Sequence, residues 1–155
     1  MNMEDRTTEK LNEILKKTKP EDLEVFLEQN KDSLRDDDLP FSVFIREKFR
    51  EKRIRQQDVF LAADIPEGYG YKLVSGEKHT VQRDVILRLC LGAHFTLRET
   101  QQALRLYGVS PLYPRIPRDC VFIISLNRKV YDVQEVDQFL IENGFDPLYA
   151  CHNND

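Results

Sequence analysis

Residues 55–76 read RQQDVFLAADIPEGYGYKLVSG, and the reading of this stretch decides the fold. A short helix opens at Gln56-Gln57 and runs through Val59, Ala62 and Ala63. Asp64-Ile65 form a turn, and a second helix begins at Pro66 and stops at Ser75-Gly76. Two short helices joined by a tight turn, the second closed by glycine, have the outline of a helix-turn-helix.

Upstream, Phe41, Phe44, Ile45 and Phe49 recur at helical spacing. Arg46, Lys48, Arg50, Lys52 and Arg53 lie on the opposite face, so this helix is basic and packs on its apolar edge. Downstream, a polar connector at 77–82 leads to a helix carrying Val85, Ile86, Leu89, Cys90 and Ala93. Thr96 and Glu99 then make a capping box for a helix through Ala103, Leu104 and Tyr107, closed by Gly108.

At the N-terminus, Leu11, Ile14 and Leu15 share one helical face. Thr18-Lys19-Pro20-Glu21 reads as a capping box with Thr18 as N-cap, opening a helix with Leu23, Phe26 and Leu27 that reaches about Leu34. Helices this short are not stable alone and must pack on the rest of the chain or on a partner. The run Arg35-Asp36-Asp37-Asp38 before Leu39-Pro40 marks the boundary.

Beyond residue 95 the chain repeats itself. Residues 96–113, TLRETQQALRLYGVSPLY, align without gaps to 132–149, DVQEVDQFLIENGFDPLY, with seven of 18 positions identical. The preceding helices match at an offset one residue shorter, Arg83-Asp84 with Arg118-Asp119 and Leu91 with Leu126. This is a duplicated helical hairpin in which each unit ends in Gly-x-x-Pro-Leu-Tyr. Glycine closes the helix, proline stops its continuation, and Leu-Tyr folds back on the core. An Arg beside an Asp in both units suggests a structural cap or ion pair. The segment from Cys120 to Leu126 is apolar nearly all round, which suits a helix buried on several sides or in an oligomer contact. Val121, Ile123 and Ile124 also suit a strand, and the repeat favours the helix.

Composition narrows the function. The net charge of −4 is segregated: residues 1–39 carry −5, 40–93 carry +3, 94–118 carry +3 and 119–155 carry −5. A basic middle between acidic ends suits a polyanion-binding centre. No apolar run approaches a membrane span, and MNMEDRTTEK lacks the apolar core of a secretory signal. Cys90, Cys120 and Cys151 form no CxxC pair and read as reduced thiols, two of them buried. His79, His94 and His152 lie far apart, with no metal-ligand spacing. No phosphate loop or nucleophile elbow occurs, so no catalytic residue, metal or cofactor is expected.

On a helix-turn-helix reading, Gln56 and Gln57 hydrogen-bond phosphate beside backbone N–H groups. The helix from Pro66 enters the major groove with Glu67, Gly68, Tyr69 and Lys72, and Lys78, His79 and Arg83 grip the backbone. Tyr71 and Leu73 read as packing against the helix at 41–52.

With Gln56 opening one helix and Ser75-Gly76 closing the next, residues 41–93 resemble the Cro and lambda-repressor type of helix-turn-helix. The fuller pattern is Tyr69-Gly70-Tyr71 through Ser75-Gly76, then Arg83-Asp84, Glu99-Thr100-Gln101 and residues 110–115, SPLYPR. It resembles small bacterial helix-turn-helix regulators of the xenobiotic-response-element type over most of the chain. The resemblance implies an all-helical fold and DNA binding, and supplies no effector. Three departures stand out: Phe60 replaces a small Ala, Asp64 replaces the turn Gly, and Glu67-Gly68 occupy positions that usually present Gln, Arg, Ser or Thr to base edges. Gly68 and Gly70 each weaken the helix by up to about 1 kcal/mol relative to Ala.

The expectation is therefore an all-α protein with a lambda-repressor-like core. Residues 1–39 form an acidic helical segment, 40–95 the helix-turn-helix core, and 96–155 an extension with the internal repeat, packed on the core. The expected function is that of a non-enzymatic, cytoplasmic bacterial regulator. Its expected partners are double-stranded DNA, a second copy of the chain, and a protein for the acidic N-terminal helices, with no membrane. Two alternatives stand beside it. One is a protein-interaction adaptor that keeps the fold without binding DNA. The other is a regulator whose acidic N-terminal segment masks its basic surface.

Overall fold

A computed structural model describes residues 7–34 and 39–151, which contain nine α-helices and no strand. No helix among the described residues is long and apolar enough to cross a membrane. The chain divides into two compact units, residues 1–37 and 38–155.

The first unit holds α1 (Thr8–Lys17) and α2 (Leu23–Gln29), each followed by a 3-10 turn. Thr7 caps α1 by accepting from Lys10 N at 3.2 Å. Thr18 is not the N-cap expected of it. Its hydroxyl donates back to Ile14 O at 2.8 Å and so closes α1, while Pro20 starts the next turn from a Lys19 cap. Phe26 is buried but Leu23 and Leu27 are exposed, because α2 ends at Gln29 and is too short to carry a continuous apolar stripe. The run at Asp36-Asp37-Asp38 lies outside the described residues.

The second unit holds α3 (Phe41–Glu51), α4 (Gln56–Ala63), α5 (Glu67–Ser75), α6 (Arg83–Gly92), α7 (Leu97–Tyr107), α8 (Pro117–Asn127) and α9 (Val133–Glu142). Helix α6 is its centre: every side chain from Val85 to Leu91 is buried, and α4, α7 and α9 all pack on it. Phe44, Ile45 and Phe49 of α3 are buried, with Phe44 edge-on to the Phe95 ring and Phe49 tilted against it. The basic face of α3 is partly neutralised. Lys52 and Lys48 reach Glu99 at 2.9 and 3.8 Å, and Arg50 reaches Glu47 at 3.6 Å. Glu99 also completes the Thr96 capping box.

The turn after α4 uses left-handed backbone at Asp64, φ 54, and Ile65 N donates to Phe60 O at 3.0 Å. This six-to-one bond is the Schellman closure, with Asp tolerating a position that glycine usually takes. Ile65, buried, then plugs the corner. Phe60 and Gly70 explain each other. A Cβ on Gly70 would lie 2.6 Å from the Phe60 ring, so the bulky residue of α4 occupies the space that a missing side chain of α5 leaves. Tyr71 closes over the same ring edge-on, 5.0 Å between centroids, and packs on α4 rather than on α3. Gly68, in contrast, has open space around it.

The two hairpins match in structure as in sequence. Phe95 N donates to Cys90 O at 3.0 Å and Val130 N to Ser125 O at 2.8 Å, while His94 and Lys129 share φ values of 57 and 59. Leu112 and Leu148 are both buried, and each backbone N–H is held from the preceding helix, by Gln101 at 2.6 Å and by Asp137 at 2.7 Å. Helix α8 is not buried all round, since Ile124 is 44% exposed. Among the cysteines only Cys90 is fully buried, and burial pushes its thiol up to about 12. Cys120 and Cys151 are half-buried.

The two glycines of α5 predict opposite effects. Gly68→Ala should stabilise the fold by up to about 1 kcal/mol through helix propensity alone. Gly70→Ala should destabilise it by about 1–3 kcal/mol through overpacking against Phe60. Urea denaturation checks both, and a trimmed ring in a Phe60→Leu, Gly70→Ala double variant should recover part of the loss.

Candidate nucleic-acid interface

The outward surface of α4 and α5 holds a subset of the residues expected to contact DNA. Gln57 is exposed in the first turn of α4 and Gln56 is half-buried beside it. Neither helix receives a side-chain cap, since Arg55 and Pro66 occupy the cap positions. Their first-turn amides therefore keep hydrogen-bonding capacity for an acceptor from outside. Arg55 instead turns to Asp58, with Nε to Oδ2 at 2.9 Å. Glu67, Gly68 and Lys72 are exposed along α5, and Tyr71 joins them at 42% exposure.

Tyr69 is a correction. It is 3% exposed and shares the core face of α5 with Leu73, four residues on, so its ring is a packing element. That i, i+4 relation was present in the sequence and distinguishes Tyr69 from the outward Tyr71. Lys78 lies partly buried with its Nζ 5.8 Å above the Tyr69 ring. His79 is exposed but stacks on Tyr107 at 4.4 Å, and the Tyr107 hydroxyl accepts from Thr80 N at 2.7 Å. The loop after α5 is thereby held against α7. His94 stacks on Tyr131 in the same manner, and His152 lies outside the described residues.

Arg83 forms the ion pair that its Arg-Asp setting suggested, but not with its neighbour Asp84. Its guanidinium is committed to Asp119, with Nη1 to Oδ2 at 3.1 Å, and to the carbonyl of Ser110 at 3.3 Å. The equivalent Arg118 reaches back to Asp84 at 2.9 and 3.1 Å and to the carbonyls of Asp146 and Pro147. Each Arg thus pairs with the Asp of the other hairpin, not with its own neighbour. The exchange extends to the backbone: Tyr113 N donates to Asp119 and Tyr149 N to Asp84, both at 2.9 Å. What the repeated Gly-x-x-Pro-Leu-Tyr supplies here is therefore a tyrosine backbone N–H. The sequence showed the Arg-Asp dipeptides, but their crossed pairing depends on how the hairpins dock.

Burial alone would push the Asp84 carboxyl up. Hydrogen bonds from Arg118 and Tyr149 N, with the charges of Arg118 and Arg83, outweigh that and hold it below its ordinary 3.8. Asp119 is fully buried.

A second tie reaches α4. Arg88, buried in α6, donates to Ala63 O at 3.1 Å, Leu148 O at 3.2 Å and Tyr149 O at 2.8 Å. It binds the carbonyl end of α4 to the tail of the second hairpin, at the wall of a cleft of about 730 Å³ that His94, Tyr131, Asp64 and Asp132 also line.

No protein-family profile matches this chain, and neither a curated protein nor a solved structure shows significant similarity to it.

Removing one partner of the crossed pairs strands a buried or half-buried charge. Arg118→Ala should cost on the order of 3 kcal/mol in urea denaturation. Arg83→Ala should cost about as much, and the double variant less than the sum if the four side chains act as one network. Because the folded value of Asp84 is depressed, the stability it contributes is complete above the ordinary carboxylate value and is lost as pH falls through the folded value. Denaturation midpoints of the wild type should therefore fall more steeply in acid than those of Arg118→Ala.

Proposed function

We propose that this chain is a DNA-binding regulator whose α4–α5 pair acts as a helix-turn-helix within a lambda-repressor-like core of α3–α6. The observation that carries the reading is the α4–Asp64–α5 unit itself. Two helices of eight and nine residues meet through one left-handed residue and a buried corner, with both first turns uncapped by side chains. The first turn of α4, with Gln57, would bind a phosphate, and α5 would lie in the major groove. Lys72 can donate to guanine O6 and N7, Glu67 can accept from cytosine N4, and the Tyr71 ring can contact a thymine methyl group. With Lys72 and Lys78 as the cations of the set, the electrostatic share is small. The salt slope per chain should therefore be shallow, on the order of −2.

A second reading is favoured by one observation. Glu67 stands exposed in the first turn of α5, where it would meet phosphate charge, while Tyr69 and Arg83 are withdrawn into the fold. On that reading the same surface docks a protein, and the chain is an adaptor that does not contact DNA.

Fluorescence anisotropy with fragments flanking its own gene, at about 50 mM salt, separates the two. The regulator reading expects saturable binding that Lys72→Ala weakens by about 5- to 100-fold, with Gln57→Ala losing less. No binding to any fragment, or binding indifferent to Lys72, sinks it in favour of the adaptor.

A further inference from the structure

The duplication supplies an internal control for the cleft between α4, α6 and α9. In the first hairpin Gln101 holds both polar groups of Leu112. Its Oε1 accepts from Leu112 N at 2.6 Å and its Nε2 donates to Leu112 O at 2.8 Å. The second hairpin has Asp137 at the equivalent position, which accepts from Leu148 N at 2.7 Å but has no donor for Leu148 O. Arg88 of α6 takes that carbonyl at 3.2 Å. One neutral amide therefore does in the first hairpin what a carboxylate and a guanidinium do in the second. Both charged groups line the cleft, and holding the tail does not require their charges.

Arg88 is 4% exposed, and among the described residues its hydrogen-bond partners are three neutral carbonyls, those of Ala63, Leu148 and Tyr149. A guanidinium has five N–H groups, so one on each Nη remains, the pair of donors that a carboxylate takes. A charge buried this deeply with no carboxylate among its partners is costly, and an anionic group entering the cleft would offset that cost. The rest of the lining disfavours a simple anion. Asp132 uses only Oδ1 to cap α9, Asp137 uses only Oδ1 on Leu148 N, and Asp64 makes no side-chain hydrogen bond, all among the described residues. Three carboxylates thus border the same cleft as one guanidinium, beside the carbonyl end of α4, which favours cations. At the rim His94 is exposed and stacks on Tyr131, with 4.4 Å between centroids and 7° between planes. That pair is a flat surface on which a planar cation can lie.

We propose that this cleft binds a free basic amino acid. Arg88 takes the α-carboxylate, Asp64, Asp132 and Asp137 take the α-ammonium and the side-chain cation, and a guanidinium side chain lies on the His94–Tyr131 pair. At about 730 Å³ the cleft is within the size range of small-molecule sites. A purely cationic amine would leave Arg88 without an anion, and a zwitterion with no further charge would leave carboxylates unmatched. The inference rests on the cleft and the repeat and not on the DNA reading. A chain that binds L-arginine and no DNA would overturn only the DNA reading.

Isothermal titration of the full chain with L-arginine up to about 10 mM tests it, and the expected result is saturable one-to-one binding. Agmatine, which lacks the carboxylate, and L-alanine, which lacks the second cation, should each bind at least about tenfold more weakly. A combined Asp64→Asn, Asp132→Asn, Asp137→Asn variant should also lose at least about tenfold. Asparagine keeps the cap of α9 and the acceptor for Leu148 N while removing the charges. Glu142→Gln, an exposed change on α9 outside the cleft, should match the wild type. Circular dichroism checks the fold of each variant, and the agmatine and L-alanine comparisons on the wild type carry the test should the triple variant unfold. Absence of saturation by L-arginine overturns the inference. So does agmatine or L-alanine binding as tightly as L-arginine, or a folded triple variant with unchanged affinity.

Discussion

Two guanidinium groups hold the second unit in register. Arg83 and Arg118 each cross to the other hairpin's aspartate, and each aspartate also receives a tyrosine N–H from the hairpin of the arginine it pairs with. A charge-assisted pair that is largely dry and hydrogen-bonded on several sides tolerates little displacement, because moving either partner strands a charge. Four side chains and two backbone amides therefore fix the rotation of α8–α9 on α6–α7. The rest of the fold depends on that docking, since α6 is the helix on which α4 and α9 also pack.

From this centre the order passes outward to the α4–α5 pair. Arg88 ties the last carbonyl turn of α4 to the tail of the second hairpin, so the start of the α4–α5 turn and the repeat share one guanidinium. Phe60 over Gly70 then sets how closely α5 approaches α4, and Tyr71 seals the ring from outside. On the surface built this way Lys72 is exposed, whereas Lys78 is partly buried over the Tyr69 ring.

Much of this was legible in the chain. The helical spacing of Phe44, Ile45 and Phe49, the Thr96–Glu99 box and the closing glycines at 76, 108 and 144 were local signals, and local physics decided those elements. Where the reading failed, a non-local contact or a short element was responsible. Thr18 has the pattern of an N-cap, but the helix before it claimed its hydroxyl. Arg83 has the chemistry of a phosphate ligand and the position of one, and an aspartate 36 residues away claimed it first. Gly70 looked like a pure cost to its helix until Phe60 gave it a reason.

By itself the sequence determined the all-helical class, the placing of the helices in the second unit and the duplication, because periodicity, capping and glycine positions act over a few residues. Only the tertiary structure decided whom each arginine pairs with. It alone also decided that one hairpin's outer face is covered by α4 while Ile124 on its duplicate is 44% exposed among the described residues. Those outcomes depend on how whole helices dock, and docking is settled by desolvation and packing between residues that the linear order keeps far apart.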